Sequence, residues 1–252
     1  MLTTLLWVLL VPSAWSQERP ALPGEATELT AGAELSAASS FTWRGIPVTD
    51  RPAVQPEAWL GIANVSLGAW GNIDLVDDHG QQWHELRTFL SVTQAWEELT
   101  FVPGLRAYVR PGDGFTAEVV GDFTWQPSIV GLYSDHAIDF WDAKPGWWSE
   151  TGVLLSPYLR GSLGFDAHLG LSAANRAFNA AHVELDRYGL QYACAAAQLG
   201  WYHHSGLYAE LAARLDWIIV DRVQQAVGSG PLLGSALVTV GWQGSALWVR
   251  GG

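Results

Sequence analysis

Hydrophobic and polar residues alternate one by one along much of this chain. That is the period a β-strand imposes, because successive side chains face opposite sides. From Thr27 to Trp43 the odd positions Thr27, Leu29, Ala31, Ala33, Leu35, Ala37, Ser39, Phe41 and Trp43 are mostly apolar, and the even ones carry Glu28, Thr30, Glu34, Ser36, Thr42 and Arg44. Phe115 to Trp125 repeats the pattern, with Glu118 and Asp122 on the polar face. Leu163 to Leu171 sets Asp166 and His168 against leucines, and Leu105, Ala107 and Val109 oppose Arg106, Tyr108 and Arg110. Ala236 to Trp248 alternates more weakly, because its second face is less polar.

Two segments, Trp83–Phe101 and Leu207–Val227, fit either period. Leu207, Leu211 and Leu215 recur as on a helix face, with Glu210 and Arg214 placed to pair. The two-residue period also gathers Glu210, Arg214 and Asp216 on one face, so strands are predicted. Turn residues separate the runs at Pro111–Gly114, His204–Gly206 and Gly228–Pro231, and longer connectors are expected at Arg44–Pro56, Gly71–Gln82 and within Pro127–Trp147. Short and long connectors in this mixture suit a meander of antiparallel strands.

At the N-terminus the apolar run Leu2–Val11, followed by Ser13-Ala14-Trp15-Ser16, predicts a signal peptide over 1–16, with a flexible leader over 17–25 and one domain over 26–252. No later apolar run is long enough for a membrane-spanning helix. Yet 49% of residues are hydrophobic and only 15% charged, against about 25% charged in ordinary soluble domains. The apolar surface has two all-strand solutions: a soluble sandwich, or a barrel that turns it toward lipid. Long strands with aromatics at their ends, a charged opposite face, and little charge overall favour a closed antiparallel transmembrane β-barrel. Crossing lengths of roughly 9–11 residues allow about 12 strands, with about 10 as the nearest alternative.

The net charge of −12 excludes a nucleic-acid surface. Cys194, the only cysteine, admits no intramolecular disulfide and reads as a small packed side chain. Fifteen tryptophans suit membrane interfaces as well as cores and sugar sites.

Phe41-Thr42-Trp43-Arg44-Gly45-Ile46, then Thr49-Asp50, Pro52-Ala53 and Gln55, and a glycine-bearing strand ending Trp70-Gly71-Asn72-Ile73-Asp74, resembles the N-terminal signature of the TorF-type porin family. The resemblance spans Leu35 to Leu86, with Glu85 where the family places an acidic residue. It implies an outer-membrane β-barrel after a signal peptide. The chain departs from such barrels at its end, where Trp248 is followed by Val249-Arg250-Gly251-Gly252 rather than by a terminal aromatic.

Catalytic signatures are missing: there is no Gly-x-Ser-x-Gly elbow, phosphate-binding glycine loop or paired-cysteine metal motif. Adjacent His203 and His204 on a strand would face opposite sides. Asp135, His136 and Asp139, and the Asp77–Gly80 connector, read as loop or rim residues, so no metal or cofactor is expected. The strand phases send Glu28, Glu34, Glu85, Glu118, Asp122, Asp166, Glu210 and Asp216 into a lumen with Arg87, Arg106, Arg110 and Arg214, and place Arg44 at its mouth. Phe41, Trp43, Trp59, Trp70, Trp125, Trp242 and Trp248 are expected at the membrane–water interfaces, with Gly45–Pro56 as an external loop. The function these features predict is a porin for small polar solutes, weakly cation-preferring, in the outer membrane of a Gram-negative-type bacterium, with lipid and the barrel-assembly machinery as partners. A secreted sandwich binding carbohydrate through exposed tryptophans is the alternative, and a lipid-acting outer-membrane enzyme a third.

Overall fold

The structure is a computed structural model that describes residues 26–76, 83–111, 114–142, 145–157, 159 and 161–249. The expected signal peptide and leader, and Asp77–Gly80, lie outside the described residues. In chain order the elements are β1 (Ala26–Ala38), β2 (Phe41–Trp43), β3 (Ile46–Thr49), β4 (Ala53–Ile62), β5 (Val65–Asp74), β6 (Trp83–Val92), β7 (Gln94–Trp96), β8 (Leu99–Arg110), β9 (Gly114–Trp125), β10 (Val130–Asp139), β11 (Gly146–Leu155), β12 (Leu163–Ala174), α1 (Arg176–His182), β13 (Gly189–Tyr202), β14 (Leu207–Ile218), α2 (Asp221–Ala226) and β15 (Leu232–Val249).

Each long strand pairs antiparallel with its neighbours in the order β1, β4, β5, β6, β8, β9, β10, β11, β12, β13, β14, β15, and the β1–β15 pairing closes the ring. Of the thirteen strands in the sheet, β7 pairs only with β8, which leaves twelve in a closed barrel. Closure matters because no backbone group is then left unpaired toward lipid. Connections at one end are short, such as Ala63–Asn64 and His203–Gly206. Those at the other include β2, β3, α1 and α2.

The outward positions are apolar with few exceptions, and among the described residues none of those in the barrel strands is Asp, Glu, Lys or Arg. Leu60, Leu169 and Leu211 stand out from the wall, 65%, 65% and 57% exposed. Exposed aromatics sit near both strand ends: Trp96, Trp125 and Trp201 at the short-turn end, and Phe115, Trp141 and Trp217 at the long-loop end. This is an uncharged band between two aromatic girdles, the outer surface of a membrane barrel. A soluble sandwich needs two separate sheets and a hydrated outer face, so the alternative fold falls. The polar side chains on this wall bond one another: Ser134 Oγ lies 2.9 Å from His136 Nε2 and 2.7 Å from Thr151 Oγ1.

Several sequence expectations change. The first strand ends at Ala38 rather than running to Trp43, and Pro127–Trp147 holds β10 as well as connectors. Trp83–Phe101 is built of strands, as expected, whereas Leu207–Val227 is strand to Ile218 and then the short helix α2. His203 and His204 lie in the turn after β13, where strand alternation no longer applies, and their ring centroids are 3.9 Å apart.

Candidate functional site

The lumen owes its contents to a break at Ser39-Ser40. The backbone N–H of Ser39 donates to Ala236 O at 2.9 Å, and its hydroxyl accepts from Ala236 N–H at 2.9 Å. The Ser40 hydroxyl donates to Gly234 O at 3.0 Å. These bonds hold the end of β1 on β15 while the chain turns inward. It returns to the wall at Ala53, which is the direct strand partner of Ala38. Between them β2 and β3 form a hairpin in which Trp43 faces Ile46 across only Arg44 and Gly45. Both have positive φ, 53° and 76°, as a tight two-residue turn of this hand requires. Glycine adopts that conformation freely, whereas arginine stores strain in it.

The tip sits inside the barrel. Arg44 donates two hydrogen bonds to the Glu118 carboxylate on β9, Nη1 to Oε1 and Nη2 to Oε2, the latter 2.7 Å. Its guanidinium lies 4.6 Å from the Trp43 ring centroid and 4.7 Å from that of Trp148 on β11. Phe41 meets Trp70 of β5 at 5.3 Å, and Trp43 meets Phe178 of α1 at 5.8 Å. Tyr192 of β13 covers Gly45 so closely that a Cβ there would come within 2.3 Å of its ring. Contacts to β5, β9, β11 and β13 come from separate parts of the ring, so the hairpin crosses the lumen. Phe41, Trp43, Trp70, Trp148, Phe178 and Tyr192 form a buried apolar cluster there.

Several buried charges around this cluster are paired. Glu85 takes Arg87 Nη2 at 2.6 Å and Arg110 Nε at 2.7 Å, and Arg110 also lies over Trp43, 4.3 Å from its centroid. Glu118 also accepts the Tyr108 hydroxyl at 2.7 Å. Glu150 accepts from Arg214 at 2.7 Å and from Tyr192 at 2.8 Å, and Arg214 reaches Asp216 at 2.8 Å. Arg106 stands 3.8 Å from Asp122. Tyr208 donates to Glu34 and Tyr202 to Glu210, the latter at 2.8 Å. Glu28 and Asp166 lie half-buried on the inward phases of β1 and β12.

Outside the strands, burial works against the charge of Arg44, but the Glu118 carboxylate more than offsets it and raises the group above the ordinary arginine range. His182, at the end of α1, is pushed down to about 4 by burial, with Arg44 and Arg110 adding to the effect. Its ring packs edge-on to Trp43 at 5.1 Å.

The expected interface aromatics divide. Trp125 and Trp242 are exposed on the outer wall, whereas Phe41, Trp43, Trp59 and Trp70 are buried in the lumen. The side chain of Trp248 lies outside what is described. Phe41 and Trp43 moved inward because the chain leaves the wall at Ser39. Trp59 and Trp70 occupy inward phases of β4 and β5, and the Trp59 ring covers Gly32. Arg44 is therefore on the hairpin tip rather than on a strand at the mouth, and Gly45–Pro56 is a lumen segment followed by the start of β4. Sequence reasoning missed Glu57, Glu150 and Tyr192, placed Tyr108 correctly on the polar face, and read Asp135, His136 and Asp139 as loop or rim residues, whereas they lie on β10. The alternation Gln55, Glu57, Trp59 against Val54, Ala58, Leu60 would have given Glu57.

No protein-family model matches the chain, and neither does any curated protein. Among solved structures, the NanC porin superposes with a TM-score of 0.54 at 8% identity, over 83% of this chain and 98% of that one. The KdgM porin, solved in complex with disordered oligogalacturonate, gives a TM-score of 0.50 at 6% identity, over 85% of this chain and 97% of that one. At such identities the likeness is one of fold, and the fold is that of porin-type outer-membrane barrels.

Proposed function

We propose that this protein is an outer-membrane channel for small polar solutes whose lumen is stopped by its own β2–β3 hairpin, with Arg44 and Glu118 as the latch. The observation that carries the reading is the placement of an ion-paired arginine on a strained hairpin tip inside a closed barrel with an uncharged outer wall. A barrel that needed only a filled core would have no use for a separable segment entering from one end. The long-loop end faces outward and the short turns face the periplasm, as in other bacterial barrels. Lipid and the assembly machinery are the partners this location implies. Passage involves no chemistry on the solute.

A weak preference for cations is part of the proposal, because Glu34, Glu57, Asp135, Asp166 and Glu210 add carboxylates beyond those paired with Arg44, Arg87, Arg106, Arg110 and Arg214. Lumen charge sets which ions pass. The Leu35–Leu86 pattern is what supports placing the chain with the TorF-type porins, and its Phe41-Thr42-Trp43-Arg44-Gly45 core lies on the hairpin. Reversal potentials in a salt gradient across a planar bilayer test the preference: a cation-selective sign is expected, and an anion-selective one would contradict it.

A further inference from the structure

On the lumen wall, Glu150 of β11, His168 of β12 and Cys194 of β13 bring a carboxylate oxygen, a ring nitrogen and a sulfur within 4.8 Å of one another. The strand registers cause this. Gly170 lies between Gly152 and Cys194 in one cross-strand row, and Ser172 and Ala196 stand opposite Glu150 and His168. The paired glycines leave a trough that Tyr133 of β10 lies across: a Cβ at Gly170 would come within 2.1 Å of its hydroxyl and 3.0 Å of Cys194 Sγ. The Tyr133 hydroxyl thereby reaches Glu150 Oε1 at 2.9 Å and Cys194 Sγ at 3.7 Å. His168 is only 8% exposed, and its Nε2 has no hydrogen-bond partner. A buried imidazole nitrogen without a partner is costly unless something else occupies its lone pair or takes its proton.

We propose that this wall holds a borderline-soft divalent cation of the zinc type, bound by Glu150, His168 and Cys194, with the Tyr133 hydroxyl beside the fourth position. Thiolate, imidazole and carboxylate together suit zinc or cobalt, whereas calcium and magnesium seek oxygen ligands. Binding replaces the Cys194 thiol proton, which leaves to solvent, so the thiolate and the Glu150 carboxylate balance the two charges of the ion. Arg214 keeps Glu150 Oε2 and Asp216, which leaves Oε1, now bonded by Tyr133, as the ligand oxygen. The ion would bind three consecutive strands of the ring, β11 to β13, to one centre. It would also give the channel an affinity for transition-metal ions that its other carboxylates lack.

Cobalt titration of the full chain refolded in detergent micelles tests this directly, because a cobalt–thiolate charge-transfer band arises only if the sole cysteine ligates. The expected result is that band at one cobalt per chain, competed away by zinc, with a proton released. Cys194→Ser abolishes the band and His168→Gln removes the stoichiometric metal, each in a barrel that keeps its heat-modifiable migration. A His203→Gln/His204→Gln variant retains both, which sets aside metal held at the exposed turn. A folded wild type that shows no thiolate band would overturn the proposal, as would stoichiometric zinc binding unchanged in Cys194→Ser. The wild-type band decides the matter even if a variant fails to fold.

Discussion

Arg44 and Glu118 stand 74 residues apart in sequence, yet they share two hydrogen bonds inside the barrel, with side chains 4% and 0% exposed. One comes from a two-residue turn in the connection between β1 and β4, the other from β9, five steps around the ring from β1. Removing one member of such a pair strands a charge away from water, which typically costs about 3–5 kcal/mol. In this barrel most of that loss falls on the docking of the hairpin, because the strand ladders do not depend on it. Arg44→Ala is expected to convert rare openings into frequent ones in planar-bilayer recordings while the barrel's heat-modifiable migration stays unchanged. Glu118→Gln, which retains a hydrogen-bond acceptor but strands the Arg44 charge, should raise the opening frequency as well.

Gly45 offers a test that leaves charge alone. Its φ of +76° and the Tyr192 ring 2.3 Å from any added Cβ oppose a side chain there. Gly45→Val should weaken hairpin docking by more than ~1 kcal/mol. The expected readout is raised open probability with the denaturation midpoint of the barrel itself unmoved.

His182 gives the plug a pH dependence whose sign follows from its environment. Undocked, the ring titrates near 6.5; docked, it is held at about 4, by burial first and then by Arg44 and Arg110, against the pull of Asp139 and Glu118. A depressed histidine stabilises docking fully above the higher value and loses that contribution as pH falls toward the lower one. The whole effect is at most about 3 kcal/mol. Openings should become more frequent between pH 6.5 and 4, and His182→Gln should flatten that part of the profile.

The uncharged outer wall predicts an asymmetry between faces. Leu169, mid-strand in β12 and 65% exposed, faces lipid. Leu169→Arg should destabilise the barrel by about 2–4 kcal/mol in vesicles if the position lies near the bilayer midplane. Guanidinium unfolding in lipid vesicles measures it, with Leu169→Ala as the reference for lost contact area.

The barrel was legible in the sequence because alternation is a local property: Glu34 against Leu35, and Glu118 and Asp122 against Val119 and Phe123, give the facing of β1 and β9 without any tertiary information. The plug was not legible, for two local reasons. Phe41 and Trp43 continue the odd-numbered apolar face of β1 by coincidence of parity, so nothing in the pattern marks the departure at Ser39-Ser40. The turn is Arg44-Gly45, not the Asn-Gly or Asp-Gly that signals a tight hairpin. β11 was obscured differently: its outward face carries Ser149 and Thr151, so polarity does not separate inside from outside, and Glu150 went unread. The pairings of Arg44 with Glu118 and of Arg214 with Glu150 depend on strand order around the ring, which no single strand's pattern contains.

The central claim is that the β2–β3 hairpin is what stops an otherwise open lumen. Ala38 and Ala53 are direct strand partners, so the intervening segment can be replaced by a two-residue Asn-Gly turn without moving either strand. The measurement is single-channel conductance of this excised variant beside the intact protein, both shown to be folded. Steady, large conductance from the variant against rare openings from the intact chain is the predicted result. Equal conductance from the two, or none from a folded excised barrel, would contradict it.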